Sequence, residues 1–311
     1  MNIQQIEYVL AVVDLKNFKL AAEKCYVTQS TLSTMIGKLE RELDLHIFDR
    51  KTKPVTITKE GEVIVQHMRK VKYEVDALKT VVSDLKGKLE GEITLGIIPT
   101  IAPYLLPLIY KDFDSKLPDV AVKIREMTTD QITESLKNRT IDLGILALPI
   151  EDKDLLETKI YDEAFLVLDC TLNPKTTKAT LQDLDYSKLC LLEDGHCLRT
   201  QVMKICELSL LHSSTKNNFD FQSGSMDSLL RITKSRKGLT IIPELAKHNL
   251  KLSRMETIRR FREPSPARSI GFVSHKYFVK RKLQHKLKAI IEDNVIPLLS
   301  PVNPQNIVKP I

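Results

Sequence analysis

An unbroken heptad pattern of apolar residues most constrains how this 311-residue chain can fold. The apolar positions follow one another in alternating steps of four and three residues. They are Ile64, Met68, Val71, Val75, Leu78, Val82, Leu85 and Leu89. A 3.5-residue period kept over several heptads is typical of a coiled coil, whereas a helix packed on a globular domain drifts towards 3.6. The pattern therefore predicts a long dimerisation helix over 59–90; a helix packed on its own domain is the alternative.

The residues before this pattern predict a small helical domain, 1–58, that ends in a basic turn. Thr28 is a suitable N-cap for a third helix with apolar residues on one face. The opposite face carries short polar side chains, which let a helix approach base edges in a major groove. These residues are Gln29, Ser30, Thr31, Ser33, Thr34 and Lys38. Arg50, Lys51 and Lys53 follow between two β-like runs and predict a wing that contacts the DNA backbone.

A dimer would present two such helices on one side. Its double-stranded DNA target is then expected to be roughly palindromic, with half-sites about one helical turn, or a small multiple of it, apart. A polar helix face is also common as plain solvent-exposed surface, and the pattern alone leaves that alternative open.

Strands alternate with helices after residue 91. Strand patterns at 93–98, 121–126 and 142–146 alternate with helix patterns at 102–115 and 129–138. Such alternation is typical of βαβ units that form a parallel sheet. The long C-terminal part is therefore predicted to be an α/β domain.

Two of the five cysteines, Cys197 and Cys206, lie nine residues apart in a segment with cationic side chains. Within one helix they would be separated by about 13.5 Å along the axis and would point to opposite faces. A disulfide needs Cα atoms within about 7 Å, so a bridge would require the segment to refold. His196 and Arg199 are expected to lower the pKa of Cys197, and Gly195 permits a turn that exposes its thiol. Cys206 would resolve the oxidised sulfur; the alternative is two buried core cysteines.

Charge and hydropathy exclude further classes. The net charge is +7, but residues 247–311 hold 14 Lys+Arg against 4 Asp+Glu, so the sum does not locate a DNA-binding part. No apolar run approaches the roughly 18 residues that span a bilayer. The first residues have a helical pattern and do not resemble a signal peptide. We therefore expect a cytoplasmic protein that makes no membrane contact and has no disulfide framework. No cofactor or metal is expected, and 302–311 is expected to be disordered.

Four segments of the N-terminal domain together resemble the LysR-type winged helix-turn-helix. They are Phe18-Lys-Leu-Ala-Ala-Glu, Val27-Thr-Gln-Ser-Thr-Leu-Ser33, Ile36-Gly-Lys-Leu-Glu-Arg-Glu-Leu43 and Ile47-Phe-Asp-Arg50. The resemblance implies an α/β fold with a two-lobed, periplasmic-binding-protein-like regulatory domain and a ligand cleft between the lobes. The implied boundaries are 1–58 for the winged helix-turn-helix, 59–90 for the coiled-coil linker helix, 91–300 for the regulatory domain and 301–311 for a tail. Lobe I would comprise about 91–161 and 268–300, and lobe II about 162–267.

Within this family, Leu192-Glu-Asp-Gly-His-Cys-Leu-Arg199 followed by Cys206 is similar to the peroxide-sensing members. That resemblance implies a regulator that activates antioxidant genes when hydrogen peroxide joins Cys197 to Cys206 and refolds residues 195–223. The implied peroxide-binding residues are Thr100, Thr129, His196, Arg199 and Arg268. The implied assembly is a homodimer, then a homotetramer, that contacts promoter DNA and RNA polymerase.

Two other functions compete with this one. A LysR-type regulator could bind a metabolite in the interlobe cleft, with the cysteines incidental to its function. A thiol peroxidase would use the same two cysteines with turnover. The long DNA-binding match argues against an enzyme.

Overall fold

The computed structural model describes residues 1–171, 178–206, 223–253 and 256–310, except for the side chain of Asp84. The chain divides into two compact units. The first comprises residues 1–88 and 138–140, and the second comprises 89–137 and 141–311. Most of the 195–223 segment that is expected to refold, namely residues 207–222, lies outside the described residues.

The first unit is built around three short helices and a two-stranded wing. Its elements are α1 (Ile3–Leu15), α2 (Phe18–Lys24), α3 (Gln29–Glu42), β1 (Phe48–Asp49), β2 (Thr56–Ile57) and α4 (Lys59–Leu85). Thr28 caps α3 as expected, because its hydroxyl accepts from the Thr31 amide at 3.1 Å. Leu32, Ile36 and Leu39 bury one face of α3 in the core of this unit.

Helix α4 departs from the predicted seam at both ends. It ends at Leu85, because Gly87 adopts a left-handed φ of 72° that stops the helix. Leu89 lies beyond that end and packs against the core of the second unit. At the other end, Ile64 and Met68 pack into the core of the first unit. The prediction of one continuous seam is therefore wrong for these three positions. The other positions are at least partly exposed: Val71, Val75, Leu78, Val82 and Leu85.

The second unit is an α/β domain. Its strands are β3 (Gly91–Ile97), β4 (Val120–Glu126), β5 (Leu143–Leu148), β6 (Leu155–Asp169), β7 (Lys178–Ala179), β8 (Leu239–Pro243), β9 (Thr257–Phe261) and β10 (Ala267–His275). Its α-helices within the described residues are α5 (Ala102–Lys116), α6 (Thr129–Lys137), α7 (Cys197–Ile205), α8 (Met226–Ser235) and α9 (Arg281–Val295). As expected, β3 pairs in parallel with both β4 and β5.

Two long antiparallel strands, β6 and β10, connect the two halves of this sheet. The first half has the order β4-β3-β5-β10-β6, and β6 then pairs with β8 and β9 in the second half. Charged residues in these strands, Glu163 and Arg268, lie directly opposite each other and are fully buried. Parallel strands place their carboxyl ends at the same sheet edge, so the segments after β3 and β4 meet there. They carry Thr100 and Thr129.

The C-terminal segment packs onto the second unit. The Val308 amide donates to the Ala267 carbonyl at 2.8 Å, at the start of β10. Gln201 on α7 donates through Nε2 to the Val308 carbonyl at 2.8 Å. Lys309 forms an ion pair with Glu151 at 2.7 Å. The prediction of a disordered tail is wrong, because these extended residues find backbone and side-chain partners that a composition argument does not reveal.

Among the described residues, no helix combines the length and the hydropathy needed to cross a bilayer.

Candidate functional site

Cys197 is the first residue of α7, and it follows a turn. Gly195 takes a left-handed φ of 92° and lets the chain reverse before the helix. His196 occupies the N-cap position without a side-chain capping bond. The turn is therefore as expected, but it does not expose the thiol, because only 7% of Cys197 is accessible. That prediction is wrong: α7 lies with Cys197 and Leu198 in the core of the second unit.

The Cys197 thiol lies among hydrogen-bond donors and one cation. Burial raises its pKa above the usual value, since a desolvated thiolate is unfavourable. The positive charge of Arg268 and hydrogen bonds from Thr129, Thr100 and the Leu198 amide lower that pKa but do not offset burial. The same groups would therefore stabilise the thiolate once it forms, at the N-terminus of a helix whose dipole also favours negative charge.

Two hydroxyls on different elements reach this sulfur. Thr129 is the first residue of α6, and Thr100 precedes α5. The buried Thr129 hydroxyl has no partner of regular hydrogen-bond geometry among the described residues, but it lies near enough to the sulfur to lower the pKa of the Cys197 thiol. Thr100 Oγ1 accepts from Arg268 Nη1 at 3.2 Å, which leaves its own proton available for donation. The site thus offers two O–H donors to a small oxygen-containing molecule beside the thiol.

Arg268 has fixed partners on both sides. Its Nη2 lies 2.7 Å from Glu163 Oε1, and its Nε donates to the same oxygen at 2.9 Å. On the other side, Nη2 donates to the Thr100 carbonyl at 3.3 Å. Glu163 Oε2 also accepts from the Leu245 amide at 3.1 Å. Buried ion pairs need such additional hydrogen bonds to compensate for lost hydration, and here the bonds lock the guanidinium in place.

Cys206 lies at the C-cap of α7, and only 5% of it is accessible. Burial raises the pKa of its thiol to about 12. Because α7 is helical from Cys197 to Ile205, the two cysteines lie about 13.5 Å apart along the axis and on opposite faces. A disulfide between them therefore requires α7 to unwind, as the spacing predicts.

The basic side chains that flank Cys197 in the sequence contact other groups. Arg199 donates through Nη1 to the Leu192 carbonyl at 2.7 Å and pairs through Nε with Asp194 at 2.7 Å. His196 is buried, with Nε2 3.8 Å from Glu193 Oε1. The expected lowering of the thiol pKa by these two residues is wrong, because Arg268, distant in sequence, supplies the positive charge.

The other three cysteines lie in different surroundings. Cys25 is half-buried at the end of α2, and burial raises its thiol pKa. Cys170 is buried, and its thiol pKa is raised to about 11. Cys190 is half-buried, with Sγ 3.8 Å from the Lys188 carbonyl. Among the described residues, no group of three or more His, Cys, Asp or Glu side chains is arranged to hold a metal ion.

The candidate DNA-binding surface lies on α3 and the wing of the first unit. All of its predicted residues except Ser33 are exposed: Gln29, Ser30, Thr31, Thr34, Lys38, Arg50, Lys51 and Lys53. Ser33 is half-buried and accepts from Arg50 Nη1 at 3.0 Å. Arg50 Nη2 also pairs with Glu40 Oε2 at 2.9 Å, while Glu40 Oε1 accepts from the Ile47 amide at 2.8 Å. Glu40 thereby fixes the wing to α3.

Three supporting residues were missed by sequence reasoning: Glu40, Glu163 and Gln201. All three are buried polar side chains on otherwise apolar element faces. A charged or amide residue at a position that periodicity assigns to the core is a usable signal, because burial requires a partner. The identity of that partner depends on the tertiary fold.

Two family models match the chain. The bacterial regulatory helix-turn-helix protein model of the lysR family matches residues 3–62, and the LysR substrate binding domain model matches residues 86–292. The boundary between them falls within the predicted linker helix.

Known proteins are similar over nearly the whole chain. A hydrogen peroxide-inducible genes activator from Haemophilus influenzae is 32% identical over 301 residues, 96% of this chain and 99% of the relative. The structure of a full-length OxyR variant from Pseudomonas aeruginosa has a TM-score of 0.79 at 27% identity and covers 94% of this chain and 98% of that one. A peroxide-bound OxyR mutant from Corynebacterium glutamicum has a TM-score of 0.63 at 25% identity, with 97% of both chains covered.

Proposed function

The chain belongs to the LysR family of bacterial DNA-binding transcriptional regulators, and on that premise we propose that it senses hydrogen peroxide through Cys197. It is a regulator and not an enzyme, so each oxidation event changes the state of one molecule. The observation that carries the proposal is the buried Cys197 thiol surrounded by the Thr100 and Thr129 hydroxyls and the Arg268 guanidinium. The relatives named for peroxide response support the choice of oxidant.

The proposed chemistry begins at Cys197 Sγ. The thiolate attacks one peroxide oxygen, an S–O bond forms and the O–O bond breaks. The sulfur loses two electrons, and the departing hydroxide takes up a proton to become water. Thr100 and Thr129 orient the peroxide and donate hydrogen bonds to the departing oxygen, where negative charge develops. Arg268 stabilises the attacking thiolate.

Cys206 completes the proposed reaction. Its thiolate attacks the Cys197 sulfenic acid, displaces hydroxide and forms the disulfide. Its helical position and raised pKa oppose this step until α7 opens and Cys206 reaches water. We therefore propose that α7 opens and that residues 195–223 refold. This conformational change would then be transmitted to the DNA-binding unit.

The DNA-bound assembly belongs to the same proposal. Exposed α3 residues would read a roughly palindromic promoter site, and Arg50, Lys51 and Lys53 would contact phosphates. The exposed part of the seam on α4, from Val71 to Leu85, would form a homodimer. We infer a homotetramer that works in the cytoplasm with RNA polymerase and activates antioxidant genes. The lobe boundaries near residues 161 and 268 are part of the proposal.

The decisive experiment is mass spectrometry after one equivalent of hydrogen peroxide. The expected product is a Cys197–Cys206 crosslink in the wild-type protein. Cys206→Ser should stop at a sulfenic acid on Cys197, and Cys197→Ser should show neither product. Absence of the crosslink in wild-type protein, together with a changed DNA footprint on addition of a metabolite, would contradict the proposal and favour a metabolite-binding regulator.

A further inference from the structure

Arg268 is held by a carboxylate that the proposed reaction does not use. Glu163 on β6 is fully buried, and its Oε1 accepts from both Nε and Nη2 of Arg268. Its second oxygen accepts from the Leu245 amide, so every Glu163 oxygen has a donor. The opposite side of the guanidinium binds the hydroxyl and the carbonyl of Thr100. Glu163 and Thr100 therefore clamp the guanidinium from two sides.

The charges at this site do not act independently. A positive guanidinium that is fully paired with a carboxylate presents a weaker field to its surroundings than an unpaired one. The Cys197 thiolate would be a second anion close to the same guanidinium. Because the three groups are buried, water screens their interactions little. Glu163 thus competes with the thiolate for Arg268 while it fixes where that cation lies.

We propose that Glu163 is a positioning residue for the reaction at Cys197: it holds Arg268 against Thr100 and limits the positive charge that reaches the sulfur. The proposal rests on the proposed peroxide reaction, and it adds a residue with two separable roles, one through its charge and one through its length. The charge of Glu163 weakens the effect of Arg268 on the pKa of the Cys197 thiol. The contacts of Glu163 hold the guanidinium in place at the same time.

Other ionisable groups face this cluster and must be constant in any test. Tyr161 on β6 is fully buried beside Glu163 and Arg268, and burial raises its pKa well above the usual value. Tyr104 on α5 also interacts electrostatically with Arg268 and Glu163. Its pKa is raised to about 12, chiefly by burial, and Asp227 on α8 makes a smaller contribution in the same direction. His196 precedes the thiol in the chain. None of these residues is changed in the variants below.

The first variant, Glu163→Gln, removes the charge and keeps the side-chain size. Arg268 then lacks its counterion, so we expect the pKa of Cys197 to fall by about one unit, with about tenfold more thiolate well below that pKa. Because a less basic thiolate is also a weaker nucleophile, the alkylation rate at such a pH should rise only about threefold. The measurement is the pH profile of iodoacetamide modification of Cys197 in the full-length Cys206→Ser background.

The second variant, Glu163→Asp, keeps the charge and shortens the side chain by one methylene group. We expect the pH profile of alkylation to remain that of the parent, because Arg268 keeps its counterion. The peroxide rate should nevertheless fall several-fold, because the guanidinium and Thr100 lose their alignment. A change of the peroxide rate without a change of the alkylation profile is an effect that loss of stability alone does not produce.

The matched control is Asp169→Asn, also on β6. Asp169 pairs with buried Arg259 at 3.0 Å, and neither residue is among the groups that influence Cys197. This variant loses a buried counterion as Glu163→Gln does, but its Cys197 alkylation profile and peroxide rate should equal those of the parent.

The proposal is overturned if Glu163→Gln leaves the pKa of Cys197 unchanged or raises it, or if Asp169→Asn shifts it equally. It is also overturned if Glu163→Asp reacts with peroxide as the parent does. Should Glu163→Gln fail to fold, the comparison of Glu163→Asp with the parent still decides. Failure of the parent to react with peroxide would contradict the proposed function. Because alkylation does not involve peroxide, the alkylation profiles would still show whether Glu163 affects the pKa of Cys197.

Discussion

The contact between α7 and the C-terminal segment provides the sharpest test of how α7 is held closed. Gln201 is fully buried in the middle of α7, and its Nε2 donates to the Val308 carbonyl at 2.8 Å. Gln201→Glu keeps the size and shape of the side chain but removes the donor. An ionised carboxylate would then face a carbonyl oxygen inside the protein, where it has no counterion among the described partners of Gln201.

The cost of this substitution is set by protonation. In its neutral form the introduced carboxyl group could donate its own O–H to Val308, so the folded variant should bind a proton at that position, with a folded-state pKa above the unfolded value of about 4.3. A group with a raised folded pKa contributes stability that is fully present below its unfolded pKa and is lost as pH rises towards the folded one. The variant should therefore match wild type near pH 4.3 and lose about 1.36 kcal/mol per pH unit, up to about 3.7 kcal/mol at pH 7.

Hydrogen exchange of the α7 amides, read by mass spectrometry between pH 5 and pH 8, measures this loss directly. If α7 must open before Cys206 reacts, disulfide formation after peroxide addition should accelerate with the same pH dependence, by up to about 500-fold at pH 7. Gln305→Glu, the same change at an exposed residue of the tail, should alter neither quantity. Equal α7 protection in Gln201→Glu and wild type at pH 7 would refute the reasoning.

Two further predictions concern the proposed dimer and the proposed resolving thiol. Leu78 is 65% exposed on α4. Leu78→Glu should weaken the proposed homodimer at least about 100-fold in sedimentation equilibrium, because two leucines that the proposed seam would bury are lost. An unchanged dissociation constant would exclude this seam as the interface. The folded pKa of Cys206 is raised to about 12, so its contribution to stability is present below about pH 8.5 and is lost as pH rises towards 12. Urea denaturation should show a steeper loss of stability from pH 8 to 10.5 in wild type than in Cys206→Ala, and equal slopes would contradict the deep burial of this thiol.

Local patterns predicted the elements well because the forces that define them are local. The Thr28 cap, the apolar face of α3 and the parallel pairing around β3 all follow from periodicity and capping. The unwinding needed for a Cys197–Cys206 bridge follows from helix geometry alone. These inferences need no knowledge of what each element packs against.

Tertiary contacts decided the features that local patterns could not. The heptad period does not distinguish Met68, which packs into its own domain, from Leu78, which is exposed. Sequence neighbours suggested cations for Cys197, but strand pairing brings Arg268 to it from 71 residues away. The basic C-terminal stretch is likewise not one continuous surface of unpaired positive charge. Arg259, Arg260 and Lys280 form ion pairs with carboxylates from other elements.

The opposed placement of the two thiols on α7 affects how a population of these molecules would report an oxidant. Because Cys197 and Cys206 face opposite sides of one helix, no small adjustment brings the sulfurs partway together. With the proposed disulfide, each molecule is either helical or bridged. A graded signal would then be encoded as the fraction of molecules converted, and the conversion would persist after the oxidant is gone until a reductant cleaves the bond.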